Sequence, residues 1–146
     1  MLFRSLSDHH FLHYREVYGT AAGDTFSYDG NAIGFFPAVL GNLSASAAWR
    51  GLSLGADVNH AGRIYLDNSE QRAASIAPRT VLDLSGEWAA APAGVAARLG
   101  VRVANVLERR YETGGYMDYD ASGALVPFRI PAAGRNVIVQ LRLAFR

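Results

Sequence analysis

The sequence has no cysteine among its 146 residues, which excludes a disulfide framework and any thiolate metal site. It has no run of about eighteen apolar residues, so no helix in it is suited to crossing a bilayer. An excess of one charge is also missing. Fourteen basic residues stand against thirteen acidic ones, for a net charge of +1, which gives no basic surface for nucleic acid. Apolar residues do not recur at a period of 3.6, so no amphipathic helix is indicated. No secretory leader is expected in the first residues, because Asp8, His9 and His10 interrupt any apolar run of about 7–15 residues after Arg4. Neither G-x-S-x-G, nor a phosphate-cradling glycine loop, nor a dinucleotide fingerprint occurs. The chain nominates no nucleophile with its base, no cofactor, and therefore no enzyme.

What is present suits strands and turns: fifteen glycines, seven phenylalanines, seven tyrosines and two tryptophans. The clearest segment is 136–145, with Val137, Val139, Leu141, Leu143 and Phe145 on one face and Ile138, Gln140, Arg142 and Ala144 on the other. Its length matches a transmembrane β-strand of about 9–11 residues. Arg146 follows the terminal aromatic. The same alternation runs through 40–49, where Leu43, Ala45, Ala47 and Trp49 oppose Asn42, Ser44 and Ser46. It continues in 52–62 (Leu52, Leu54, Ala56 and Val58 against Ser53, Gly55, Asp57 and Asn59), and in 80–88 (Leu82, Leu84 and Trp88 against Asp83, Ser85 and Glu87). In 95–105, Val95, Ala97, Leu99, Val101 and Val103 oppose Arg98, Gly100 and Arg102. A sixth strand, with mixed faces, is predicted over 11–18.

The connections alternate in length. Arg50-Gly51 and 90–94 are tight turns, whereas 19–37, 66–78 and 108–135 are long. Bacterial barrels join strands by short periplasmic turns and longer outer loops. If 136–145 descends to the periplasm, both tight turns fall on the periplasmic side, and Trp49 and Trp88 stand where amphipathic rings form an interfacial girdle. The fold expected is all-β: an antiparallel up-and-down meander of about six strands, the carboxyl-terminal part of a transmembrane β-barrel. Its apolar faces would touch lipid. Asp57, Asp83, Glu87, Arg98, Arg102 and Arg142 would line a hydrated lumen and pair across strands. A soluble β-sandwich or lipocalin-like binding module would alternate in the same way, and several copies could instead build a small oligomeric pore.

Other polar clusters are less informative. His9, His10 and His13 form H-H-x-x-H without the glutamate of a helical metalloprotease motif, and are taken as a loop cluster. Asp118, Asp120, Ser122 and Gly123 imitate half of a calcium loop, but Arg129 stands at the twelfth position, so a polar loop tip is expected. Asn42-Leu43-Ser44 fits a glycosylation acceptor but lies within a strand. Asp83 and Glu87 share a face about 13 Å apart, too far for a paired-carboxylate site.

Two segments carry a family resemblance. Residues 101–111, VRVANVLERRY, resemble the penultimate strand of TonB-dependent receptors where it leaves the membrane; the match falls on Asn105, Val106, Leu107, Glu108 and Tyr111. Residues 131–145, PAAGRNVIVQLRLAF, resemble that family's last loop and strand, with Gly134 and Arg135 before the crossing. The resemblance extends over about 38–146, with 43–63 as a middle hairpin. It implies a larger outer-membrane receptor with a barrel, a plug and a segment that meets TonB, importing a ferric siderophore or similar scarce nutrient. It also implies that this chain is a fragment, without the plug, from a truncated or split reading frame. Its partners would be outer-membrane lipid, the rest of the barrel and plug, and a metal-chelate or nutrient ligand. Ligand contacts would fall in the outer loops, among Tyr18, Phe26, Tyr28, Tyr65, Arg72, Tyr111, Tyr116, Tyr119, Phe128 and Arg129, where interfacial anchoring competes as an explanation for the tyrosines.

Overall fold

The computed structural model describes residues 2–6, 9–18, 23–91 and 95–145, with the side chains of residues 2–6 and Tyr18 outside that description. The main sheet is built from β1 (Leu2–Leu6), β4 (Val39–Trp49), β5 (Leu52–Ala61), β8 (Arg79–Ala90), β9 (Val95–Ala104) and β12 (Asn136–Phe145). These six strands lie side by side in chain order, every pair antiparallel. The architecture is thus an all-β up-and-down meander. The smaller strands β2 (Arg15–Tyr18), β3 (Asp24–Ser27), β6 (Ile64–Tyr65), β7 (Ser75–Ile76), β10 (Glu112–Tyr119) and β11 (Leu125–Pro131) form three two-stranded ribbons within the long connections.

Register explains why one face is apolar throughout. Val137, Val139 and Leu141 lie opposite Val103, Val101 and Leu99. Leu84 and Trp88 of β8 face Val103 and Leu99, and in turn oppose Ala56 and Leu52 of β5. Leu43, Ala47 and Trp49 of β4 continue the row against Val58, Leu54 and Leu52. Because opposed residues share a face, the periodicity of each strand merges into one apolar surface. Among the described residues nothing covers it: Val139 is 63% exposed, Leu141 61% and Leu143 51%. A soluble sheet buries such a face under a second layer. Strands of ten to twelve residues in β4, β5, β8, β9 and β12, at ~3.3 Å per residue and tilted by ~40°, span roughly 25 Å, the height of a barrel's apolar band.

The strand predicted over 11–18 is a correction. The edge of the sheet is β1, whose Leu2 and Leu6 pair with Leu43 and Val39. Residues 11–14 instead fold back on 28–31: Phe11 N–H donates to Asn31 O, Gly30 N–H to Phe11 O and Tyr28 N–H to Tyr14 O. Only Arg15–Tyr18 is extended, and it pairs with β3 outside the main sheet. The mixed faces of 11–18 have this cause: the segment packs within a loop and serves neither face of the sheet.

Arg50 and Gly51, with φ of 46° and 83°, form the tight β4–β5 reversal suited to the right-handed twist of a hairpin. A Cβ on Gly51 would also lie 2.5 Å from Ala89 O, so the position excludes side chains twice over. The guanidinium of Arg50 stacks over Trp49, 4.9 Å from its ring centroid.

The buried residues gather at the opposite end of the sheet. Ala61, Leu66, Ala74, Ile76 and Val81 form a small core where the second long connection packs between the sheet and the third. Gly115 of β10 approaches so closely that a Cβ there would stand 3.1 Å from Leu66 Cδ1 and 2.6 Å from Phe128 O. The loops expected over 66–78 and 108–135 belong to connections that run over 62–78 and 105–135 and contain ribbons of their own.

Candidate functional site

The charged face and the three long connections are where recognition could occur. On the charged face, cross-strand register places like charges opposite each other, Asp57 against Asp83 and Arg98 against Arg142. Diagonal, opposed and same-strand partners offset this. Arg102 donates to Asp83 at 2.8 Å, Arg98 reaches Glu87 at 3.4 Å, Ser44 Oγ donates to Asp57 at 2.6 Å, and Arg142 reaches Gln140 at 3.4 Å. Pairs this accessible contribute about 0–1 kcal/mol each. Their consequence is a wall of satisfied charges opposite the apolar face.

The resemblance residues acquire a physical role. Asn105 is buried, adopts φ 52°, and bridges the turn after β9 with its amide: Nδ2 donates to Arg109 O at 2.9 Å and Oδ1 accepts from Arg109 N–H at 3.0 Å. Its own N–H donates to Asp83 Oδ1 at 2.9 Å. Val106 N–H donates to Leu82 O, which ties the turn to β8. The turn presents Glu108 to Arg135, 3.1 Å away across the third connection. Tyr111 supports Arg79, whose guanidinium lies 5.0 Å from the ring centroid and donates to Glu112 O. Leu107 is exposed on the loop, and Gly134 faces open space.

The three connections bind one another into a cap. Asn31 Nδ2 donates to Asn68 O, Ala32 N–H to Glu70 Oε2 and Phe35 N–H to Tyr65 O, which joins the first to the second. Arg129 joins the third to the second through Ser75 O and Ala73 O. Engaged in this way, Arg129 acts as a staple, a role its position in the sequence did not reveal. Phe11 stacks on Tyr14 at 4.5 Å, Tyr14 on Tyr28 at 6.1 Å, and Tyr116 on Phe128 at 5.6 Å. A cleft of about 480 Å³ opens between the connections, lined in part by Phe26, Tyr28, Asp67, Gln71, Met117 and Leu125. Of the loop aromatics and arginines predicted to meet a ligand, only Phe26 and Tyr28 border it; the side chain of Tyr18 lies outside the described residues.

The histidines are dispersed in role. His9 packs against Phe36 at 5.7 Å, His10 bridges to Ala32 through its backbone, and His13 lies 3.6 Å from Asp29. The backbone N–H of Tyr14 holds the Asp29 carboxyl below its ordinary range, and a hydrogen bond to Glu16 raises the Tyr14 hydroxyl.

Asp120 closes the β10–β11 ribbon. Its Oδ1 accepts from Ser122 Oγ, Ser122 N–H and Ala124 N–H, and these bonds hold its carboxyl below the usual range. With the folded value depressed, the stabilisation is complete above the unfolded value and fades as pH falls through the folded one. Amide exchange at Ser122 and Ala124, corrected for intrinsic rates, will therefore hold steady near neutrality and accelerate below about pH 4. Asp120→Ala will abolish that acid step. An unchanged acid profile in the variant would refute the role.

A bare apolar face, a paired charged face and a loop cap at one end are the features of an antiparallel barrel wall. The solved structures agree on that class: the chain has the fold of TonB-dependent receptor barrels. It is similar to the ferric yersiniabactin uptake receptor FyuA of Yersinia pestis at 28% identity and a TM-score of 0.62, over 84% of this chain and 18% of that one. It is also similar to BauA, the ferric preacinetobactin receptor of Acinetobacter baumannii, at 15% identity and a TM-score of 0.57, over 78% and 16%. Both matched proteins are receptors rather than enzymes, and the chain spans under a fifth of their length. No family model and no curated protein sequence matches.

Proposed function

We propose that this chain is the carboxyl-terminal portion of the barrel of an outer-membrane receptor that imports a ferric siderophore or similar scarce chelate by TonB-coupled transport. The observation that carries the reading is the uncovered apolar surface running across β4, β5, β8, β9 and β12 of the up-and-down sheet. In water it would drive association; in a bilayer it is the surface that acyl chains solvate. Two open edges support the fragment reading. Among the described residues only one side of β1 and of β12 is paired, and a bilayer leaves several kcal/mol unmet for each exposed peptide group. Further strands, a plug and the TonB-meeting segment would come from sequence beyond 1–146. In this reading Val137, Val139, Leu141, Leu143 and Phe145 meet lipid, and Asp57, Asp83, Glu87, Arg98, Arg102 and Arg142 line the lumen. The cleft beside Phe26 and Tyr28 is then a rim that the chelate passes.

Fractionating the source cells with an antibody to the β10–β11 ribbon tests this. The antigen should sediment with the outer membrane in a band several times the 15.7 kDa of this chain. A 15.7 kDa antigen that stays soluble without detergent would exclude the reading.

A further inference from the structure

A second cleft, also about 480 Å³, opens at the cap end of the apolar face, sharing Arg79 and Tyr111 with a cleft on the charged side. Its floor is Val58 and Leu82, directly opposed across β5 and β8 in the outermost apolar row. Leu107, 57% exposed, extends that floor from the turn after β9. Above it stand Arg79, Arg109 and Arg110, with one acidic residue, Glu112. Three guanidinium groups against one carboxylate leave the cleft cationic at the height where the lipid-contact surface ends.

The three arginines are not equivalent. Arg79 is held by the Tyr111 ring and the Glu112 carbonyl, so its position is preset. The Arg109 backbone is pinned on both sides by the Asn105 amide, while its side chain is exposed. Among the described residues, neither the Arg109 nor the Arg110 guanidinium has a hydrogen-bond or ion-pair partner. Paired surface arginines belong to the fold, as Arg98, Arg102, Arg129 and Arg135 do. Two adjacent unpaired ones over an apolar floor await an anion that carries its own hydrocarbon.

We propose that this cleft binds a phosphorylated lipid of the surrounding leaflet, with its acyl chains along Val58, Leu82 and Leu107 and its phosphate between Arg109 and Arg110. The chemistry favours phosphate. The chain has no lysine, all fourteen basic residues being arginine, and the planar guanidinium binds phosphate oxygens in bidentate fashion. A free anion has no use for the apolar floor, and an acidic peptide would have to displace lipid to reach this side of the sheet. The assignment rests on the membrane reading, since only in a bilayer does this row border headgroups.

The test uses the whole barrel that contains this chain, folded in zwitterionic detergent, with native mass spectrometry to count bound diphosphoryl lipid A. Dephosphorylated lipid A and inorganic pyrophosphate serve as comparison probes. Arg109→Gln combined with Arg110→Gln should weaken lipid A binding roughly 10- to 30-fold, at ~1 kcal/mol for each charge near a membrane surface. The lysine pair should recover part of the loss. Arg98→Gln with Arg142→Gln, the same loss of charge on the opposite face, should leave binding within about twofold. Both glutamine variants should keep the far-ultraviolet dichroism of the parent, because none of the four side chains is buried. Equal weakening by the two double variants, equal binding of the dephosphorylated lipid, or displacement by pyrophosphate at matched concentration would each overturn the assignment. A chain that stays monomeric in buffer without detergent would signal failure of the membrane reading instead, a result these affinities do not resemble.

Discussion

Leu141→Arg will destabilise the whole barrel that contains this chain, folded in phospholipid vesicles, by about 2–4 kcal/mol, whereas Gln140→Arg, one residue away, will cost less than about 1 kcal/mol. The two positions lie at the middle of β12, and both are exposed. They differ only in face: Leu141 is opposite Leu99, which neighbours Trp88, and Gln140 is opposite Gly100 on the charged wall. In water a 61% exposed leucine could become arginine with little change, within about 0.5 kcal/mol. Near the bilayer midplane the same change puts a charge among acyl chains. The contrast between the two variants therefore reports the solvent on each face directly. Urea midpoints in vesicles measure it, and the slope m should stay constant so that the shift reflects stability alone. Equal midpoints for both variants would mean that neither face meets lipid, and the transport reading would fall with that result.

The parts of this fold visible in the sequence are those governed by a solvent boundary. β12 keeps an apolar residue at every odd position because successive side chains meet different environments, and β5, β8 and β9 alternate for the same reason. Parity of loop lengths then orients the strands. The ribbon β10–β11 was not legible: Glu112–Tyr119 reads ETGGYMDY, with no apolar period, and its fold depends on Gly115 fitting against Leu66 in another connection. The segment 11–18 misled for the reverse reason. Its aromatics stack on one another within the first connection, so their spacing follows ring contacts and obeys no sheet face. The Asn105 motif was visible as a resemblance alone; the geometry adds why an asparagine stands there. Arg129 as a staple, and Arg79 with Arg109 and Arg110 as a group, needed three-dimensional proximity, because 79 and 109 come together only through β8–β9 pairing and the turn that follows.

Asn105→Ala will cost about 3 kcal/mol, out of proportion to the few atoms removed. A left-handed backbone at φ 52° costs alanine ~1–2 kcal/mol. The backbone N–H and C=O of Arg109 also lose their partner in a part-buried turn, at about 1 kcal/mol each. Asn105→Gly separates the two contributions: glycine accepts the backbone angle but supplies no amide, so it should recover the conformational part and cost about 1–2 kcal/mol. Asn105→Asp keeps the acceptor for Arg109 N–H, loses the donor, and brings a second carboxylate to the turn beside Asp83; it should rank with alanine. Because the turn presents Glu108 to Arg135, the alanine variant should also erase the coupling between those two in a double-mutant cycle. Denaturant midpoints in detergent give the ranking, with glycine mildest. Glycine and alanine variants of equal stability would show that the left-handed turn carries no strain, and an undiminished Glu108–Arg135 coupling would show that the asparagine does not aim the loop.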